Sequence, residues 1–230
     1  MTIAYINHLN ANPMIKTVVL GLLIAMSNVT VGFAAATHET TTIAVVRTLP
    51  LGTSVSVQGT VTVPAAAFKS SFSDDGFALQ DTTSGIYVSV HQNLNLSIGQ
   101  RVRVSGKVAE TNAKFKIIEA DADGVKILGG GRAVKPQTIP LNKLDERVLG
   151  QLVTLTAVIS SPTVTIAPFG FRLPISDGTG ETVVFVMAST NISQQDLQPR
   201  RRIKVTGLAG QFQGQYQIYP RFPADIKLVR

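Results

Sequence analysis

Leu96-Ser-Ile-Gly-Gln-Arg-Val-Arg-Val-Ser-Gly106 and Leu197-Gln-Pro-Arg-Arg-Arg-Ile-Lys-Val-Thr-Gly207 lie on each other at a constant offset of 101 residues. The offset continues without a gap through Phe115/Tyr216, Ile117/Ile218, Val125/Ile226, Lys126/Lys227 and Ile127/Leu228. Upstream, at an offset of 96, Leu79-Gln-Asp81 and Val88-Ser-Val90 answer to Ile175-Ser-Asp177 and Val184-Phe-Val186, with Gly85 and Gly180 in the turns between. Further back, Gly52-Thr-Ser-Val-Ser-Val-Gln-Gly59 answers to Gly150-Gln-Leu-Val-Thr-Leu-Thr-Ala157. A self-match sustained over this length is the mark of two copies of one structural unit.

Within each copy apolar residues alternate with polar ones. Val55, Val57, Val61 and Val63 stand against Ser56, Gln58, Thr60 and Thr62, the period of a strand with one buried face. Asp81-Thr-Thr-Ser-Gly85 and Asp177-Gly-Thr-Gly180 separate such runs and predict hairpin turns, with each Asp side chain bonding nearby backbone N–H groups. Five strands are predicted per copy, at about 53–63, 76–81, 86–91, 101–110 and 114–128, then at about 151–160, 170–176, 182–187, 201–210 and 214–229. Short strands, no long helical period and a strongly twisted first strand marked by Gly59 predict an all-β chain built of small closed barrels.

The order of these motifs carries a resemblance. A strand, an F-x-L-x-D hairpin with G-x-x-V, a short connection, then L-x-x-G-x-R-V-x-V-x-G and an aromatic-x-I strand resembles an OB-fold of the nucleic-acid-binding type. It is most similar to the OB-fold modules that accompany secreted bacterial nucleases, and it covers roughly residues 43–131 and 148–230. The resemblance implies two tandem five-stranded OB-fold-like barrels, residues 37–131 and 148–230, following a signal segment. Two departures stand out. The connection between the third and fourth strands has room for at most a helical turn, and in the second copy Arg200 and Ala157 replace Gly99 and Gly59. Both replacements predict a less regular second barrel.

Residues 129–147 join the copies. Gly129-Gly-Gly131 followed by Pro136 and Pro140 predicts an interdomain linker over 132–147, with Leu141 to Leu149 as a short amphipathic helix capping one barrel. Nothing in the sequence sets the relative orientation of the barrels.

At the start of the chain, Lys16 precedes an apolar run from Thr17 to Met26, and Ala34-Ala35-Ala36 fits an A-x-A cleavage pattern before Thr37. This predicts a signal peptide over residues 1–36, with Met14 the better start, and export to the periplasm or the cell exterior. The competing reading is an uncleaved membrane anchor, because residues 17–36 carry no charge; contact with a membrane is expected only in that case. No Cys follows the apolar run, which excludes a lipid-anchored lipoprotein.

Charge is unevenly divided. Residues 37–131 hold 8 basic and 8 acidic residues, whereas residues 132–230 hold 12 and 6. An asymmetry on the scale of a domain suggests an anionic partner. If Val102, Val104 and Val108 point inward, Arg101, Arg103 and Lys107 point outward, and so do Arg202 and Lys204 in the second copy. The same alternation predicts outward Tyr87, Phe185 and Tyr219, and cations surround them: Lys116, Arg172, Arg200, Arg201 and Arg221. Aromatic rings among cations suit a single strand of nucleic acid, whose bases stack while Lys and Arg neutralise phosphates. An outward Tyr87 or Phe185 packed against the other barrel is the competing expectation.

Catalytic chemistry is missing from the sequence. With no Cys in 230 residues, thiolate metal sites, disulfide scaffolds and Cys nucleophiles are excluded. His38 and His91 are the only histidines after the leader; no His-Glu-x-x-His, serine elbow or phosphate loop appears, and Glu119-Ala-Asp-Ala-Asp-Gly124 lacks the later carboxylate of a calcium loop. No catalytic residue, metal or cofactor is therefore expected. The expected function is an exported, non-enzymatic protein that binds single-stranded DNA or RNA without sequence preference. Such a protein would have an envelope protein or a separate nuclease as a further partner. The alternative is an envelope interaction module for protein, glycan or a small ligand.

Overall fold

Inward valines close the first sheet. In the computed structural model, which describes residues 39–230, that sheet holds β1 (Ser54–Val63), β2 (Phe77–Gln80), β3 (Gly85–Ser89), β4 (Arg101–Glu110), β5 (Lys116–Glu119) and β6 (Val125–Gly129). The expected signal segment, the start at Met14, the cleavage point and His38 lie outside the described residues. Strands β1, β2 and β3 run as an antiparallel meander, β3 pairs with β5 in parallel, β5 with β4, and β4 closes the cycle on β1. Val57, Val61, Leu79, Ile86, Val88, Val102, Val104 and Ile118 fill the interior, each fully buried. The chain is all-β with a closed five-stranded barrel in this sheet.

A second sheet of eight strands comprises β7 (Gln137–Thr138), β8 (Leu152–Ile159), β9 (Val164–Ile166), β10 (Gly170–Ser176), β11 (Glu181–Met187), β12 (Arg202–Phe212), β13 (Gln215–Tyr219) and β14 (Ile226–Val229). It runs through the same cycle: β8–β10–β11 antiparallel, β11–β13 parallel, then β13–β12 and β12–β8 antiparallel. Its interior is a separate cluster that includes Leu155, Ile159, Leu173, Ile175, Val184, Ile203, Val205 and Ile218.

The long last strand expected in each copy is interrupted. A 3₁₀ turn at Ala122–Gly124 separates β5 from β6, and one at Pro223–Asp225 separates β13 from β14. The break lets the chain leave one part of β4 or β12 and re-pair farther along the same side, so β6 and β14 extend the sheets beyond the closed cycle. The stretch predicted as linker also differs. From Gln137 onward it pairs in parallel with β8 and sends Ile139, Leu141, Leu144 and Val148 into the second core. The same entry occurs in the first barrel, where Thr41 bridges Val57 in parallel before the helical turn α1 (Ile43–Val46). Where one amphipathic helix was expected over Leu141 to Leu149, the segments Leu141–Lys143 and Glu146–Val148 are separate 3₁₀ turns.

Asp81 and Asp177 perform matching tasks. Each carboxylate accepts from the backbone N–H and hydroxyl of the Thr two residues on: Thr83 at 2.7 and 2.7 Å, Thr179 at 2.9 and 2.7 Å. The other oxygen accepts from the first N–H of the entering helical turn, Ile43 at 2.8 Å and Leu141 at 2.7 Å. One side chain thus closes the hairpin and pins the segment that caps the barrel. Burial pushes both carboxyls up, but these hydrogen bonds outweigh it and hold them below the usual carboxylate range.

The barrels are joined by a third apolar cluster. Val63, Phe68, Ala78, Tyr87, Phe115 and Ile117 from the first barrel meet Leu149, Met187, Leu208 and Tyr219 from the second, with Phe72, Phe185 and Tyr216 at its margin. Polar ties surround it: Arg47 reaches Leu149 O and Glu146, Gln80 accepts from Leu152 N–H at 3.0 Å, and the Ser189 hydroxyl donates to Ala67 O at 2.7 Å.

Gly85 and Gly150 touch backbone to backbone across this junction. A Cβ on either would overlap the carbonyl of the other, and Gly150 also has φ +80°. Gly52, the equivalent of Gly150 in the first copy, has φ +81° with open space around it. Gly52→Ala therefore carries only the left-handed strain, about 1–2 kcal/mol. Gly150→Ala adds the overlap and is expected to lose about 1–3 kcal/mol more in urea unfolding. Equal losses would show that the junction does not form as described.

Candidate functional site

Three faces carry the residues expected to meet a ligand. The first is the outer surface of β4, where Arg101, Arg103 and Lys107 are exposed, as the alternation requires. Arg103 lies opposite Gln58 on one side and Lys126 of β6 on the other. Turned with its oxygen toward the guanidinium, the Gln58 amide accepts from Arg103 Nη2 at 2.7 Å and Nε at 3.1 Å. The remaining neighbours on β1 are Ser54, Ser56 and Thr60, and among the described residues the one carboxylate on the face is Glu119 of β5, opposite Lys107 and not Arg101 or Arg103.

The second face is its equivalent on β12. Arg202 and Lys204 are exposed, Lys204 stands opposite Thr156 of β8 and Lys227 of β14, and Arg202 stands opposite Val158 and Val229. The like-charge pair Lys204/Lys227 recurs in the first barrel as Arg103/Lys126, at the same offset of 101. Like charges directly opposite each other on a sheet disfavour the fold by roughly 0.2–1 kcal/mol. Among the described residues none of these four is in an ion pair. Lys126 and Lys227 were not among the residues expected at the site; their place in the repeat was the available signal.

At the rim of the second face Arg200, Arg201 and Arg202 are all exposed. Arg200 keeps the turn that Gly99 makes in the first copy, with φ +69° against +89°. Its N–H bonds Ile159 O at 2.9 Å, as that of Gly99 bonds Val61 O at 3.0 Å. The replacement of Gly99 therefore leaves the turn intact and holds an arginine in a left-handed conformation.

The third face, where the aromatic residues were expected, is closed. Tyr87 and Tyr219 do point away from their own barrel interiors, yet both are buried, at 0% and 6% exposure, because they join the cluster between the barrels, Tyr87 beneath Phe68 and Phe72 and Tyr219 against Phe68. The Tyr87 ring stacks on Phe72 with centroids 4.5 Å apart, and its hydroxyl donates to Asp74 at 2.6 Å. Burial and the adjacent Asp74 charge push the Tyr87 phenol far above its ordinary range, so it remains a donor. Burial alone raises Tyr219. Phe185 is half-buried with its ring edge-on to Tyr219 at 6.3 Å. The expectation of open stacking rings at Tyr87 and Tyr219 is thus corrected: these residues build the junction.

Arg221 is corrected likewise. Only 8% exposed, it makes a two-pronged pair with Asp225, Nε to Oδ2 and Nη2 to Oδ1 at 2.8 Å each, and its Nη1 donates to Thr62 O of β1 at 2.8 Å. It bolts one barrel to the other. Lys116 and Arg172 are half-buried, Lys116 donating to Leu49 O at 2.7 Å and Arg172 to Gln215 at 3.3 Å. Phe222, which carries the Arg221 guanidinium 4.7 Å from its ring centre, escaped the sequence reading because it sits in a turn outside the strand alternation. Among the described residues no group of three or more His, Asp or Glu is placed to hold a metal, and no helix is long and apolar enough to cross a membrane.

No family model matches the chain, and no curated protein matches it. Among solved structures it is similar to a murine DNA-binding protein bound to double-stranded DNA, with 15% identity and a TM-score of 0.39, over 76% of this chain and 95% of that one. It is also similar to fission yeast Pot1 with single-stranded DNA, with 11% identity and a TM-score of 0.39, over 83% of this chain and 88% of that one. A replication protein A heterotrimer bound to single-stranded DNA matches with 13% identity and a TM-score of 0.33, over 80% of this chain and 50% of that one.

The two kinds of arginine separate by stability. Arg221→Ala strands Asp225 in the interior and is expected to lose about 3–5 kcal/mol in chemical denaturation. Arg202→Ala is expected within about 0.5 kcal/mol of the parent. Arg200→Gly relieves the left-handed strain and should leave stability unchanged or raise it by up to about 1 kcal/mol. A similar loss for Arg221→Ala and Arg202→Ala would overturn the division.

Proposed function

We propose that this chain is an exported, non-enzymatic tandem OB-fold protein that binds nucleic acid through the phosphate backbone, without sequence preference. The observation that carries the reading is the recurrence of unpaired cation rows on matching faces of both barrels, with Arg103/Lys126 and Lys204/Lys227 set against each other. A fold keeps such repulsion at a cost in stability, and an anionic strand laid along the row relieves it. The matching strand cycles of the two sheets support an OB-fold for each. The charged start, apolar run and Ala34-Ala35-Ala36 of the leader support export.

Burial of Tyr87 and Tyr219 changes the expected mode of binding. In OB-folds the outer surface of the second and third strands is the usual oligonucleotide platform. Here part of that surface in the first barrel is covered, so phosphate contacts supply most of the affinity. With about four phosphates neutralised, affinity for a single strand should fall roughly 50-fold between about 50 and 200 mM salt.

Anisotropy of a labelled single-stranded oligonucleotide titrated with the full chain tests this. Binding should weaken steeply with salt, and Arg202→Ala with Lys204→Ala should lower the salt slope by about 1–2. Binding that ignores salt, or no binding at low salt, overturns the reading and turns attention to a protein or glycan of the envelope.

A further inference from the structure

Each barrel has a cleft at the same place, between the outer face of its fourth strand and the turn that leads into its extension strand. The cleft of the second barrel has a volume of about 410 Å³ and is lined by Lys204, Thr206, Arg221, Phe222, Asp225 and Lys227, among others. That of the first, about 450 Å³, is lined at the equivalent positions by Ser105, Ala120, Asp121, Asp123 and Gly124. The offset of 101 pairs Ala120 with Arg221, Asp121 with Phe222 and Asp123 with Ala224. The two clefts overlap at these positions and differ in chemistry, and only the second includes the lysine pair, since Arg103 and Lys126 do not line the first.

In the first barrel Glu119, Asp121 and Asp123 outnumber the one lysine, Lys107, on the wall of this cleft. In the second, Pro220, Phe222 and Ala224 stand where all three of those carboxylates were, so an aromatic ring has arrived. Its one carboxylate, Asp225, is consumed by the paired bonds from Arg221. The uncompensated charges are Lys204 and Lys227, directly opposite on adjacent strands, where side chains start about 4.5–5.5 Å apart and both ammonium groups can reach one anion. Phe222 is half-buried; Arg221 lies over its ring, and the ring lines the same cavity. The volume is in the range of pockets that take a small ligand.

We propose that this cleft receives one nucleotide of a bound strand, its phosphate between Lys204 and Lys227 and its base against Phe222. The inference rests on the nucleic-acid reading above and gives it a specific seat, away from the closed face at Tyr87 and Tyr219. The first barrel contributes only its cation row, because three carboxylates against one lysine make the matching cleft there unfavourable for phosphate. Binding is therefore polarised: the second barrel grips a nucleotide and the first guides the backbone.

The chain contains no Trp, so Phe222→Trp places a single indole in the cleft. The variant is titrated with a labelled oligothymidylate, and label anisotropy and indole emission are followed together. The proposal expects indole emission to fall by roughly half with the same midpoint as the anisotropy, as base stacking quenches it. Adding Lys204→Gln and Lys227→Gln should shift both midpoints about tenfold. Phe222→Leu in the unlabelled chain gives an independent readout, an expected loss of about fivefold or more in oligonucleotide affinity. If anisotropy rises while indole emission stays constant and Phe222→Leu binds like the parent, the cleft assignment fails and the general reading stands. If no anisotropy change occurs at low salt, both fail.

Discussion

An aromatic layer buried between the barrels holds them together and decides which of their surfaces stay open. Phe68 of the first barrel meets Tyr219 of the second with ring centres 6.1 Å apart, and behind them Phe72 and Tyr87 on one side and Phe185 on the other pack at 4.5–6.4 Å. Pairs of this kind add about 0.5–1.5 kcal/mol each beyond the area they bury. Around them Arg221, Gln80, Arg47 and Ser189 satisfy backbone carbonyls and N–H groups that the contact would otherwise strand. Two barrels so joined are held in one orientation, and the surfaces left for a partner are those the junction does not cover.

What remains open is the outer side of β4 with β6 and of β12 with β14. These strands carry the exposed cations in both halves, and the duplication places them at equivalent positions. The second half has gone further. Arg200 occupies a glycine's conformation, Phe222 and Lys227 border a cleft without free acid, and its excess of basic residues accounts for the charge asymmetry of the chain. The left-handed Arg200 and the opposed Lys204 and Lys227 lie on this same side of the second barrel, and both cost stability.

Much of the architecture was legible because it is local. Alternation places Val102, Val104 and Val108 inside and Arg101, Arg103 and Lys107 outside, and the repeat transfers that assignment to β12. The Asp81 and Asp177 hairpins follow from turn chemistry. Long-range packing was not legible. Alternation tells which side of a strand a ring leaves from, and Tyr87 and Tyr219 do leave outward, but it carries no information about the neighbour that covers them. The same gap hid the role of Arg221, whose partners are a turn aspartate and a carbonyl 159 residues away. The residues after Pro136 were read by their glycine and proline neighbours as a linker, while Ile139, Leu141 and Leu144 carry the apolar spacing of a core segment.

Amide hydrogen exchange of the full chain, with and without a single-stranded oligonucleotide at low salt, separates binding on the outer cation faces from binding between the barrels. Exchange should slow in β12 and β14 and, more weakly, in β4 and β6, with no change in β3 and β13, whose amides are already protected by the junction. Faster exchange in β3 and β13 on binding, as the barrels part to admit the strand between Tyr87 and Tyr219, would contradict binding on the outer faces.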